Sequence, residues 1–271
     1  MKTIFYISLL IISFFFCSIS SAGIGKDKRL IEELIQIDKE SIKSFEKFFS
    51  NGEQKPHRHN LGFGWEVWSP MKIGHHLRVA TEFYYFDDSL VACRVFPILP
   101  DDKRLRKKLL GYLNGYFEVS EDDRLRAHQI NFSILYQPLE EYSENADIKN
   151  ISKELRELFK PSYFSGRINY FWSGGYEGGM MASRVIFKEE HEKLTEEELI
   201  LLMYSINPVL RFLAVEEVMR NDLLKEENKK YEDWIQKCFE EVPYMYTLNG
   251  CIGSKAISKE LVLKFAQLEY R

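Results

Sequence analysis

"HLRVATEFYYFDDSLVACRVFPI", residues 76–98, decides the fold class. Two β-branched and aromatic runs flank Asp87-Asp88-Ser89, as expected of an antiparallel hairpin with a short loop. In the first run Leu77, Val79, Thr81 and Phe83 alternate with His76, Arg78, Ala80 and Glu82, the period-two pattern of a half-buried strand. Cys93 in the second run is expected to act as a small core hydrophobe.

Just upstream, "LGFGWEVW" (61–68) is further strand material. Before it, "DKRLIEELIQIDKESIKSFEKFFS" (27–50) places Leu30, Leu34, Ile37, Ile42, Phe45 and Phe49 at helical spacing, which predicts one amphipathic helix. Asn51-Gly52 and Pro56 end it. Downstream, "DDKRLRKKLLGYLNGYF" (101–117) opens with two acids and reads as a helix. Its basic run, Lys103 to Lys108, lacks aromatic or glycine-rich company and reads as a solvated face. "HQINFSILYQPL" (128–139) predicts a strand closed by Pro138, followed by a helix over about 147–160. "GRINYFWSGGYEGGMMASRVIFKEE" (166–190) predicts two strands around a glycine-rich turn.

Thr195 with Glu198 forms a capping box, and Asn207-Pro208 starts a new helix as N-cap and first helical residue. Further helices are expected over about 226–241 and 256–270. The sum is an α+β protein: mainly antiparallel sheet, flanking helices and a helical C-terminal third over 193–271. Residues 23–271 are expected to form a single globular domain.

Residues 1–22 read as a secretory signal, with Lys2, the uncharged run "IFYISLLIISFFF" and small residues Ser20, Ser21 and Ala22 before the cleavage point. The run is shorter than the roughly 20 residues that a spanning helix needs. The alternatives are an uncleaved anchor or a lipidated Cys17, for which Phe14, Phe15 and Phe16 are poor neighbours. The protein is thus expected to be exported, periplasmic or extracellular. Its net charge of −4 gives it no bulk attraction to nucleic acid or anionic lipid.

Cleavage would leave Cys93, Cys238 and Cys251. In an oxidising compartment Cys238 and Cys251 are the disulfide candidates, and the loop they close would contribute roughly 3 kcal/mol. His57, His59, His75 and His76 cluster within a short stretch, and His57, His59 and His76 are the candidate ligands of a zinc site. "SGGYEGGMM" (173–181) lacks the Lys-Ser/Thr of a phosphate loop, and the strand expected after it offers no helix N-terminus for an anion. No hydrolase signature occurs.

These residues point to a non-catalytic protein, of interaction or immunity-like type, that binds another protein or envelope macromolecule without a cofactor. Trp65, Trp68, Tyr170, Trp172 and Glu177 are its interface candidates. The alternative is an exported hydrolase assisted by a metal held in the His57 to His76 cluster.

Overall fold

The computed structural model describes residues 25–50, 57–119, 125–145, 152–158, 182–221, 223, 230–249 and 252–268. Cys17, Tyr170, Trp172, Glu177, Cys251 and the glycine run 173–181 lie outside them. So do the signal segment 1–22 and its cleavage point.

The fold is α+β. Its first part carries a helix over 25–35 (α1), α2 (Ile42–Ser50), and strands β1 (His59–Gly62), β2 (Trp65–Trp68), β3 (Met71–Ile73), β4 (Arg78–Phe86) and β5 (Ser89–Ile98). Helix α3 (Lys103–Leu113) and strand β6 (His128–Ile130) follow. The strands form one six-stranded antiparallel sheet in the order β1-β2-β4-β5-β6, with β3 also on β4. The predicted hairpin is present: β4 and β5 are joined by Asp87-Asp88, both at positive φ (44° and 62°). Positive φ at both loop residues suits the right-handed twist of the strands, and aspartate tolerates it.

Then come a 3₁₀ turn (Phe132–Tyr136), α4 (Gln137–Asn145), α5 (Lys153–Leu158), α6 (Ala182–His191), α7 (Glu196–Leu202), α8 (Pro208–Arg220) and α9 (Lys230–Glu241). A hairpin of β7 (Tyr244–Asn249) and β8 (Ile252–Ile257) precedes α10 (Ser258–Ala266). Packing divides the chain into two units. One holds residues up to His57, Trp68–Phe83 and Leu90–Asn131; the other holds Arg58–Val67, Tyr84–Ser89 and Phe132 onward.

In the first unit Phe45 and Phe49 of α2 are buried, with Phe49 edge-on to Phe83 (6.0 Å). Trp68 stacks on the same Phe83 at 5.2 Å. The single helix expected over 27–50 is two helices. The Asp38 side chain accepts from the Glu40 amide (3.1 Å), Ser41 Oγ accepts from the Ser44 amide (3.2 Å), and these local turns break the helix between α1 and α2. Strand β4 is buried on both faces rather than one. Glu82 can face inward because Arg94 meets it at 2.8 Å.

The second unit is built around α8, whose residues Pro208 to Val218 are all buried. A helix that is buried all round must be enclosed by others, and α7, α9, α10 and the β7–β8 hairpin contribute to its core through Leu202, Phe239, Phe265 and Met245. The caps read from the sequence are in place: Thr195 and Glu198 form the capping box of α7, and Asn207 caps α8 with Pro208 at its start.

Three further expectations need correction. Ala182–His191 is a helix, not a strand, and its Arg184 and Phe187 are buried where only a helix would bring both inward three residues apart. With it the objection that no helix follows the glycine run falls. The strand at 128 stops at Ile130, because Asn131 takes a left-handed φ of 52°, and Pro138 sits in the first turn of α4 instead of closing a strand. The C-terminal third holds the β7–β8 hairpin among its helices; the last helix starts at Ser258, not 256.

Candidate functional site

Strands β1 and β2 turn through Phe63-Gly64, with Gly62 paired to Trp65. Gly62, Phe63 and Gly64 all have positive φ (85°, 55° and 79°). For glycine this is free, but for phenylalanine it costs about 1–2 kcal/mol. The strained residue has a specific use. Its ring stacks on Trp234 of α9 (4.5 Å, 14°), and the Arg211 guanidinium of α8 lies 4.6 Å from its centroid. The turn is tied down by the Phe63 amide, which donates to Glu241 Oε2 at 2.8 Å. A Cβ on Gly62 would come within 3.0 Å of Val242 and 3.1 Å of Arg211 Nη1, so only glycine lets the backbone approach so closely.

From Trp234 the aromatic row continues through Tyr204 (4.5 Å) to Tyr142 (3.5 Å from Tyr204, stacked). Trp234 is fixed by its indole N–H, which donates to the Met203 carbonyl at 3.1 Å. Trp65 and Phe86, 5.0 Å apart, form a second aromatic pair. Between them opens a cavity of about 290 Å³, with Ile134, Pro138 and Ile206 completing its apolar lining. That volume is at the small end of ligand pockets and suits one ring system with a short substituent.

Four polar side chains reach this space: Arg211 within, and Gln137, Glu141 and Lys237 at the exposed rim. Arg211 donates through Nε and Nη2 to the Ser205 carbonyl (3.0 and 2.9 Å) and through Nη2 to the Leu61 carbonyl (3.3 Å). Its Nη1 has no hydrogen-bond partner among the described residues. Burial draws the Arg211 pKa down to about 10, opposed by Cys238 and Glu241, so the group stays cationic at neutral pH. Burial also pushes the Tyr142 and Tyr204 hydroxyls up, which keeps both as neutral donors.

Of the interface candidates, Trp65 belongs to this cavity, and Trp68 packs in the other unit against Phe83. The remaining members of the site, above all Phe63, Tyr142, Tyr204, Arg211 and Trp234, carried no signal as a set, because five separate stretches supply them. A phenylalanine directly before the glycine of a two-residue turn is the one local oddity the sequence offered.

The other candidates are placed as follows. Cys238 is a free thiol, fully buried in the core around α8; Cys251, its expected partner, lies outside the described residues. Burial pushes Cys238 up to about 11 and Cys93 up to about 12, so neither is a thiolate at neutral pH. His57 is exposed, His59 lies in β1, and the His75 and His76 rings pack edge to face at 4.3 Å. Among the described residues no group of three or more His, Cys, Asp and Glu side chains is drawn together to hold a metal. No described helix is long and apolar enough to cross a membrane. No protein-family model, curated protein or solved structure matches the chain.

The strained turn makes a direct prediction. Phe63→Gly relieves the backbone and removes a half-buried ring, so its stability is expected within about 1 kcal/mol of the native chain in denaturant unfolding. A loss of several kcal/mol would make the ring core rather than cavity wall.

Proposed function

We propose that this is an exported, non-catalytic binding protein that captures a group of a partner molecule in the aromatic cavity of its second unit. The observation that carries this reading is Phe63. A bulky residue held in a left-handed backbone conformation, at a cost in stability, builds the wall between Trp234 and Arg211. Cores seldom need such a device, whereas ligand sites use it to pre-position a contact surface. The lining supports the reading as well, being mostly aromatic and aliphatic with a few polar groups. Against a cysteine nucleophile stand the thiols of Cys93 and Cys238, both buried and protonated at neutral pH.

The test is native mass spectrometry of the chain recovered from its exporting host, compared with Gln137→Trp. Gln137 is exposed at the rim, so an indole there is expected to fill the entrance without touching the core. The native chain should carry a bound molecule or partner that the variant has lost, and the captured species should be recovered chemically unchanged. Equal retention by the variant removes the cavity as the binding place; conversion of the captured molecule removes the non-catalytic reading.

A further inference from the structure

Resting on that reading, we propose that the cavity takes an aromatic ring that bears a carboxylate, with the ring between the two aromatic walls and the carboxylate at Arg211 and Lys237. The argument begins with the buried cation. Arg211 is about 1% exposed, yet its three hydrogen bonds among the described residues all end on backbone carbonyls and none on a carboxylate. A buried guanidinium bonded only to neutral acceptors, with one nitrogen unpartnered and the Glu241 charge nearby but not hydrogen-bonded to it, has room for a carboxylate in direct contact.

Lys237 adds a second positive charge from the next turns of α9, with its ammonium 5.5 Å from the Phe63 ring and 6.0 Å from the Trp234 ring. Both cations therefore gather at the Phe63–Trp234 end. Among the described residues, the acids that line the cavity or act on Arg211 are Glu141 and Glu241. Glu241 is committed to the Phe63 amide, and Glu141 stands exposed at the rim. A cationic ligand would meet aromatic faces already occupied by Arg211 and Lys237, so a cation cage is disfavoured. The rest of the lining, with Trp65, Phe86, Ile134 and Ile206, offers apolar surface for a ring. One ring and one carboxylate also match the small volume. Two sources supply this chemistry: a free aromatic acid, or a partner chain that ends in an aromatic residue.

The test uses three probes of one shape on the full exported chain: 3-phenylpropionate, 3-phenylpropanamide and 3-phenylpropylamine, followed by tryptophan fluorescence, since Trp65 and Trp234 line the cavity. The acid is expected to bind at least about tenfold more tightly than the amide, and the amine weakest. Lys237→Met, an exposed substitution, should reduce that preference severalfold. Arg211→Met should do the same if it folds, and the Lys237 variant stands without it. A short peptide ending in phenylalanine separates the sources. If it binds more tightly than phenylpropionate and loses this on C-terminal amidation, a chain end is the ligand; equal affinity assigns the free acid. Amide or amine binding as tight as the acid, or no binding of any probe at millimolar concentration, overturns the inference. Neither result touches the binding reading, which stands or falls with Gln137→Trp.

Discussion

Glu216→Ala is expected to destabilise the protein by roughly 3–5 kcal/mol, a large part of the stability of an ordinary domain. Glu216 is on the buried helix α8, fully inaccessible, and its two oxygens receive Arg184 Nη1 and Nη2 of α6 at 2.6 Å each. Arg220 approaches at 3.8 Å, and Arg220 also pairs with Glu217. Truncating the carboxylate strands a guanidinium that is only 1% exposed, and desolvation of that charge is no longer offset. Replacing both partners, as in Arg184→Met with Glu216→Leu, should recover most of the loss, because matched apolar groups avoid the desolvation altogether. The double-mutant cycle is read by denaturant unfolding.

Arg184→Met alone carries a pH signature. Burial already pushes the Glu216 carboxyl up, with Arg220 opposing; removing the Arg184 cation that meets it at 2.6 Å is expected to push it further. A carboxyl whose folded pKa exceeds its unfolded value of about 4.3 contributes its stability below that value and loses it as pH rises through the folded pKa. The variant's deficit should therefore be smallest at acid pH and widen as pH rises through the native chain's own raised Glu216 pKa toward the variant's higher one. A cost under about 1 kcal/mol for Glu216→Ala would mean that the pair is solvated and behaves as a surface bridge.

How much of this was legible depended on whether a rule is local. The Asp87-Asp88 hairpin, the Thr195 capping box and the Asn207-Pro208 start are encoded within four residues and were readable. The glycine-rich approach to Ala182–His191 suggested strands because Val185, Ile186 and Phe187 have strand propensity. The tertiary pairing of Arg184 with Glu216, 32 positions away, is invisible in such a window. The break between α1 and α2 was hidden by a hydrophobic spacing that nearly continues through Ile37 and Ile42. The Asp38 and Ser41 turns outweigh it. The cavity was the least legible feature. Trp65 stands out for being aromatic, but nothing local marks Arg211 on its helix, and only folding buries it with carbonyls rather than a carboxylate as its hydrogen-bond partners.

The histidine pair gives the second large effect, through its backbone rather than its rings. Asp27 of α1 is fully buried, and its Oδ1 accepts from the amides of His75 (2.7 Å), His76 (2.9 Å) and Leu77 (3.0 Å). Gly74 makes this possible: a Cβ there would lie 2.3 Å from the same oxygen and 3.1 Å from the Leu77 carbonyl. Each charge-assisted bond contributes about 1–3 kcal/mol when its donor has no alternative, and the His75 and His76 turn is partly solvated. Asp27→Ala is therefore expected to cost roughly 2–4 kcal/mol, dominated by the buried Leu77 amide. Gly74→Ala should cost a similar amount by expelling the carboxylate, and Asp27→Asn less, since it keeps one acceptor. Hydrogen exchange locates the effect: the Leu77 amide should be protected in the native chain and exchange quickly in Asp27→Ala, with α8 unchanged. His75→Ala and His76→Ala leave the amides in place and should be nearly neutral. If the two histidine variants instead lose as much stability as Asp27→Ala, the imidazoles carry the turn, and the cluster would again merit a test for a bound metal.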